Sequence, residues 1–455
     1  MQEIRRDVRA RLGPEATYEQ RRDAAAALAS DALWLDADED LREVITTADE
    51  VEVEGRRYHR LEQGSSATYH SRWGSHPIEE ALYREAGVHN GPTIKPIELR
   101  VGIIEHMTPD MARIVGELSA DRSSRSVERT LRATGLVAPS RAFLAKRTTA
   151  MATEIADEIE TFEQAARDAE PVPTDVGSVS CGLDRMAVRM SELADPETLA
   201  TRAEPYERTP PLEKEHHYRM AWVGSTSIYD KQGNELHTWR YAAEASADPA
   251  TVARRVARDV AWLANAHRGV PIHCVQDGAP ELRALPEELT GQLPANTNLV
   301  MLVDLEHVMG YLEDVVDACE PEGDPHDMKG WYRSELLHHD GAIDKIWRNL
   351  RGLAKRLVGR GTKARNAVAA ALSYIRRRKS KMRYATHYAA NLPIGSGATE
   401  STCWQMQQRV KLAGQSWEAG LRGVLAMRGL TLSDRWLVAW QPYAATHRKQ
   451  VRLAA

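Results

Sequence analysis

The chain has 455 residues, 42% hydrophobic and 27% charged, proportions that suit a globular protein of several domains. Its net charge of −5 gives no basis for a general affinity for polyanions, so any nucleic-acid surface has to be local. The four cysteines form no C-x-x-C pair, which argues against a zinc ribbon or a disulfide framework. No segment resembles a signal peptide or is apolar enough to span a bilayer, so we expect a cytoplasmic protein without a membrane partner.

Residues 1–107 are predicted to form a helical and hairpin region. The alanine-rich stretch within residues 18–35 favours a helix. Alternation over residues 50–58, with a turn at Gly55, predicts a short strand or hairpin. Residues 64–74 are rich in turn-forming residues, which predicts a connector.

Residues 108–170 are predicted to form a helix-turn-helix-like DNA-binding region. Thr108 and Pro109 are typical of a helix start, and a second helix begins at Ser123 or Ser124. A third begins near Ser140 and runs to about residue 169. This region would contact phosphates through Arg122, Arg125, Arg129 and Arg132. An ordinary three-helix connector explains the pattern equally well.

Beyond a proline-containing linker, residues 171–303 are predicted to form the first part of an α/β catalytic core. Strand patterns occupy residues 176–183, 218–229, 235–241, 270–276 and 298–303, and a helix begins at Asp248. This alternation predicts a mixed sheet flanked by helices. A helical basic insertion, residues 304–390, follows, and residues 391–455 complete the core with C-terminal helices.

The insertion separates its charges to an unusual degree. Residues 345–383 contain fourteen lysines and arginines and no acidic residue. Solvated helix faces usually mix signs, so we expect this segment to bind a nucleic-acid backbone. The residues expected to contact DNA are Arg376, Arg377, Arg378, Lys379, Lys381 and Arg383.

Three carboxylates are placed where an active site would form. Asp184 and Asp277 end predicted strands, and Glu400 lies in the first turn of a predicted helix that begins near Ser396. Sites in open α/β sheets form at the carboxyl ends of strands. Oxygen ligands without a cysteine or histidine cluster favour Mg²⁺ or Mn²⁺, and two such ions can act on a phosphodiester. Strand caps, a turn and a helix-start charge would explain the same three residues.

Several sequence blocks resemble one protein family. They are residues 179–184 with 186–190, 275–279, 303–308, 382–384, 392–397 with 400–401, 409 with 411–414, 417, 425–428 and 433–436. The most specific is Gly395-Ser396-Gly397 with the tail that follows it. Over most of residues 176–440 the chain is similar to bacterial insertion-sequence transposases of the DDE type, in the Kra-like group allied to Mutator-like transposases.

This resemblance implies a ribonuclease H-like core in which Asp184, Asp277 and Glu400 hold two Mg²⁺ or Mn²⁺ ions. It also implies metal-dependent cleavage of DNA ends and strand transfer, with terminal inverted repeats and target DNA as double-stranded partners. Two element ends require two active sites, so we expect a homo-oligomer associated with the nucleoid. The alternatives are a metal-dependent nuclease without strand transfer, or a transposase-derived DNA-binding protein without catalysis.

The family also carries an Asp-x-x-His block beside its metal site, matched here by Asp304 and His307. We expect Asp304 to cap a helix, and His307 to lie near that helix start. His307 is a candidate catalytic residue that donates a hydrogen bond to a phosphate, although simple packing would also explain it.

Overall fold

The computed structural model describes residues 2–193, 214–319, 325–358, 361–418 and 420–453. The chain divides into two compact units: residues 1–169 with 422–455, and residues 170–421. In the described part of the chain, no helix is both long enough and apolar enough to cross a membrane.

The first unit combines helices with an antiparallel sheet. Its elements are α1 (Gln2–Leu12), α2 (Tyr18–Glu43), β1 (Glu50–Val53), β2 (Arg56–Ser71), β3 (Gly74–Glu85), β4 (Thr93–Ile94), α3 (Pro96–Val101), α4 (Pro109–Asp121), α5 (Ser124–Ala133), α6 (Arg141–Asp157), α7 (Ile159–Ala169), and the C-terminal α16 (Leu421–Leu432), α17 (Trp436–His447) and β10 (Val451–Leu453).

The sheet of the first unit has the order β10-β1-β2-β3-β4, and every neighbouring pair is antiparallel. The predicted hairpin near Gly55 is confirmed as β1 and β2. The predicted connector over residues 64–74 is wrong, because β2 continues to Ser71 and pairs with β3. Gly64 marks a register shift in this pairing, so the glycine accommodates a bulge instead of a loop.

The helical part of the first unit begins where the sequence predicts. Thr108 is the N-cap residue of α4, and the Ser123 and Ser140 side chains accept hydrogen bonds from the first turns of α5 and α6. The predicted third helix is interrupted at Glu158, between α6 and α7. Met427 and Trp436 of the C-terminal helices belong to the same buried cluster as α4 and α6. Residues 391–455, treated above as one stretch, are therefore divided between the two units.

The second unit is a mixed α/β structure. Its elements are β5 (Ser178–Leu193), β6 (Lys214–Tyr229), β7 (Glu235–Ala243), α8 (Pro249–Ala266), β8 (Ile272–Gln276), a 3₁₀ turn (Pro280–Arg283), α9 (Ala284–Gln292), β9 (Leu299–Val303), α10 (Leu305–Cys319), α11 (Pro325–His338), α12 (Ala342–Arg356), α13 (Thr362–Arg378), a 3₁₀ turn (Lys379–Lys381), α14 (Ala385–Ala389) and α15 (Gly397–Val410).

The sheet of the second unit has the order β7-β6-β5-β8-β9. β5, β6 and β7 pair antiparallel, whereas β8 and β9 continue the sheet parallel to β5. Helix α8 packs on Gly224, and α15 packs on Gly182. Gly224 pairs with Leu183, the residue after Gly182, so the two helices cover opposite faces of the sheet. The predicted mixed sheet flanked by helices is confirmed.

Candidate metal centre

Three aspartates reach the same level on adjacent strands. Cys181 of β5 is the register partner of Cys274 in β8, which is in turn the partner of Met301 in β9. An aspartate lies three residues after each of these partners: Asp184 after Cys181, Asp277 after Cys274 and Asp304 after Met301. Because the three strands run parallel, the aspartates come to one edge of the sheet. Asp184 is still within β5, whereas Asp277 and Asp304 follow the last residues of β8 and β9.

Helix α15 brings Glu400 to this edge because Gly182 lets the helix approach β5 closely. A Cβ atom at Gly182 would collide with the Thr399 hydroxyl. The same hydroxyl lies 2.7 Å from Ser225 Oγ of β6, which fixes the start of the helix on the sheet. Glu400 lies in the first turn of α15 and is exposed. The helix dipole favours a carboxylate at this position.

Asp184 is half-buried and surrounded by other ionisable groups. Burial raises the pKa of its carboxyl, and the carboxylate of Asp277 raises that pKa further, whereas His307 acts in the opposite direction. Cys403, one turn after Glu400, places Sγ 3.6 Å from Asp184 Oδ2. Burial and the Asp184 carboxylate raise the pKa of the Cys403 thiol, so the thiol keeps its proton and donates. The contact with Cys403 places Asp184 against α15.

Asp304 connects two parts of the site through hydrogen bonds. It is 1% exposed, and its Oδ1 accepts from the backbone N–H of Glu306 at 2.6 Å, which confirms the predicted cap of α10. Its Oδ2 accepts from Ser396 N at 2.9 Å and from the Ser396 hydroxyl. That hydroxyl also lies 3.1 Å from Glu400 Oε1. Ser396 occupies the predicted N-cap position of α15, but its side chain contacts these carboxylates and makes no cap hydrogen bond.

Asp304, His307 and Glu400 form a group that could hold a metal ion, with one ligand atom from each within 4.8 Å of the others. His307 and Glu400 are exposed and also line an open cavity of about 380 Å³. Asp304 already accepts three hydrogen bonds, which leaves it little further capacity as a ligand. Asp184 and Asp277, predicted as ligands with Glu400, are not members of this closest group.

The six predicted DNA-contacting residues fall into two sets. Arg376, Arg377, Lys381 and Arg383 are exposed. Arg378 is half-buried and donates to the backbone oxygen of Gly278 through Nε at 2.9 Å and Nη2 at 2.7 Å. Lys379 pairs with Asp344 and lies over the Trp347 ring. Arg378 and Lys379 therefore already make contacts within the protein, and composition alone does not distinguish them from the four exposed residues.

Sequence reasoning missed several residues that shape the site. Gly182 lies inside a sequence block singled out above, Thr399 precedes Glu400, and Cys403 follows Glu400 by three residues, but nothing in the sequence indicates that α15 packs against β5. Tyr374 was also missed, although its hydroxyl donates to Asp277 O at 2.6 Å. The aromatic residue four positions before Arg378 was the available signal, because residues at this spacing share one face of a helix.

The chain matches no model of a known protein family, and no curated protein matches it. The resemblance to DDE transposases therefore stays a prediction. Its strongest physical support is the arrangement of acidic residues around the edge of β5, β8 and β9.

Proposed function

We propose that this protein is a DDE-type DNA transposase that cleaves the ends of an insertion sequence and joins them to target DNA. The observation that carries the proposal is that Asp184 and Asp277 occupy equivalent register positions on neighbouring parallel strands. Glu400, in the first turn of α15, lies at the same edge of the sheet. The Asp277 carboxylate raises the pKa of Asp184, and a cation beside them would favour the charged form of Asp184. The donor set therefore fits a metal-dependent phosphodiester chemistry.

The ligands proposed for two Mg²⁺ or Mn²⁺ ions are Asp184, Asp277 and Glu400. Carboxylate oxygens are the donors that both ions prefer. When bound, such ions activate the attacking oxygen and stabilise the leaving oxygen of a phosphodiester. Asp304 keeps a different role in this proposal, since its oxygens hold Ser396 and the start of α10.

The order of the sheet supports a ribonuclease H-like core. Three antiparallel strands, β5 to β7, are followed by the parallel β8 and β9 on the other side of β5. This arrangement makes β5 the central strand, with Asp184 on the face that α15 covers. A long helical insertion separates β9 from α15, as the sequence pattern predicts.

In the proposed reaction, water attacks the phosphodiester at the element end, the bond to the 3′ oxygen breaks, and a 3′-OH is released. That hydroxyl then attacks a phosphodiester of target DNA and displaces its 3′ oxygen. His307 is exposed beside Glu400, where its ring N–H can donate to a phosphate oxygen and stabilise the charge of the transition state.

The proposed partner is double-stranded DNA. The exposed Arg376, Arg377, Lys381 and Arg383 belong to the same unit as the carboxylates and would neutralise phosphates. Helices α4 to α6 of the other unit would recognise terminal inverted repeats. The protein would act at the nucleoid, as a homo-oligomer that holds both element ends.

The deciding experiment incubates the protein with end-containing DNA, a target plasmid and Mg²⁺ or Mn²⁺. We expect joined products from the wild type. Nicked ends without joining would indicate the nuclease alternative, and bound but uncut DNA would indicate the DNA-binding alternative.

Isosteric changes test the ligands. We expect Asp184→Asn, Asp277→Asn and Glu400→Gln each to abolish cleavage and joining while DNA binding in a gel-shift assay persists, because each removes one ligand charge. Asp314→Asn is the control, since this exposed aspartate lines the same cavity without belonging to the proposed ligand set. Substantial cleavage by any of the three variants would remove that residue from the site.

A further inference from the structure

The turn that follows Asp277 is held from outside the sheet. Gly278 has φ +75, a left-handed conformation that glycine adopts readily. Asp277 Oδ1 accepts from Ala279 N at 2.6 Å within this turn. Strand β8 ends at Gln276, so the carbonyl groups of residues 277 and 278 lie beyond the last residue of the strand. Both accept hydrogen bonds from side chains of helix α13.

Tyr374 holds the first of these carbonyl groups. Its hydroxyl donates to Asp277 O at 2.6 Å, and the residue is 7% exposed. Its ring stacks on Tyr311 of α10, with ring centroids 4.2 Å apart. The donor is thus fixed by packing as well as by its hydrogen bond.

Arg378 holds the second carbonyl group. Its guanidinium donates twice to Gly278 O, and Nη1 donates to Tyr374 O at 3.3 Å. The guanidinium also lies 4.2 Å from the Tyr374 ring centroid. A Cβ atom at position 278 would come within 2.5 Å of Arg378 Nε, so the arginine and the turn fit closely. Two donors from one planar group restrict the orientation of this carbonyl group.

The neighbouring Arg377 provides a contrast on the same helix. It carries the same charge one position away and is exposed. Arg378 is therefore the residue whose charge faces the turn after Asp277, while Arg377 faces solvent.

We propose that Tyr374 and Arg378 are positioning residues for the carboxylate of Asp277, and that Arg378 does not serve as a DNA contact. This inference rests on the proposed function for its kinetic consequence. Its structural consequence, an ordered turn over residues 277–279, is independent of catalysis. Helix α13 then has two separate roles, since its exposed arginines face outward while Tyr374 and Arg378 fix one ligand of the site.

The test compares Arg378→Ala with Arg377→Ala in the full-length protein, under single-turnover conditions at saturating end DNA. We expect Arg378→Ala to slow cleavage by ~10- to 100-fold, as loss of an outer partner of a metal ligand does, with DNA affinity close to the wild type. Arg377→Ala should instead weaken DNA binding, as expected for the loss of an exposed phosphate contact. Tyr374→Phe keeps the ring and its packing but removes the hydroxyl, so it should slow cleavage without unfolding the protein.

Hydrogen exchange provides a readout that needs no activity. Amide exchange over residues 276–282 should accelerate in Arg378→Ala and Tyr374→Phe but not in Arg377→Ala. If the wild type cuts no DNA but exchange follows this pattern, the proposed function fails and the positioning role stands. If Arg378→Ala shows wild-type exchange, or loses DNA affinity as Arg377→Ala does while cutting normally at saturation, the positioning role is overturned. Should Arg378→Ala fail to fold, Tyr374→Phe decides.

Discussion

Replacing Asp304 with alanine tests whether the link between β9 and the start of α15 stabilises the second unit. The substitution removes a buried carboxylate that accepts from Glu306 N, Ser396 N and the Ser396 hydroxyl. Hydrogen bonds to a charged group contribute roughly 1.5 kcal/mol or more each, and removing the buried charge recovers part of that sum. We therefore expect a loss of about 3 kcal/mol in the free energy of unfolding.

The matched control is Asp248→Ala. Asp248 is an exposed N-cap of α8 in the same unit, and its side chain accepts from Ala250 N at 2.9 Å. Loss of such a cap alone costs ~1 kcal/mol. Urea unfolding followed by circular dichroism should therefore separate the two variants by about 2 kcal/mol. Equal losses, within about 0.5 kcal/mol, would show that Asp304 acts only as a cap and that its contact with Ser396 contributes nothing.

Three further predictions concern other features of the chain. His307→Ala should slow DNA cleavage while the melting temperature and end binding stay near wild type, because the proposed role of this exposed ring is to donate to a phosphate; cleavage at the normal rate would remove it from the site. Neutralising Arg376 and Arg377 together should weaken binding to all DNA sequences alike and reduce the slope of log affinity against log salt concentration by about two. Binding titrations at several salt concentrations would measure this slope. A change in sequence preference alone would contradict the prediction. In the first unit, Glu154 lies 3.3 Å from His447 and raises the pKa of that imidazole, while the same contact lowers the pKa of Glu154. Their pairing should stabilise the fold most between pH 4.5 and pH 6.5, the ordinary pKa values of glutamate and histidine. This contribution should fade as pH rises through the raised pKa of His447 or falls through the lowered pKa of Glu154. In unfolding experiments at several pH values, His447→Gln should flatten the dependence of stability on pH.

Local patterns in the sequence were sufficient to predict most elements of the second unit. The alternation near Asp184, the cap at Asp248 and the apolar run before Asp304 correspond to β5, α8 and β9. Each of these signals lies within a few residues of the element it predicts. The same local reasoning misread residues 64–74, because Gly64 and its serine neighbours are typical of turns and only the pairing with β3 makes them a strand.

The geometry of the site depends on contacts that no local pattern contains. Nothing near Gly182 in the sequence indicates that Thr399 will pack against it, yet this contact determines where Glu400 lies. The run from Arg376 to Arg378 gives three equal charges, and only the fold directs the last of them to Gly278 O. Charge and spacing could therefore predict a basic surface, but not which of its side chains remain exposed.

The same geometry explains how acidic residues from distant parts of the chain can be held in place before any ligand binds. Asp304 joins the end of β9 to Ser396, and the Ser396 hydroxyl reaches Glu400. On the neighbouring strand, α13 fixes the turn after Asp277 through Tyr374. A site whose donors are already oriented loses little conformational freedom when it binds a charged ligand, so less of the binding free energy is spent on ordering the site. The helical insertion thus contributes to the arrangement of the acidic centre through packing, in addition to the basic surface that it exposes.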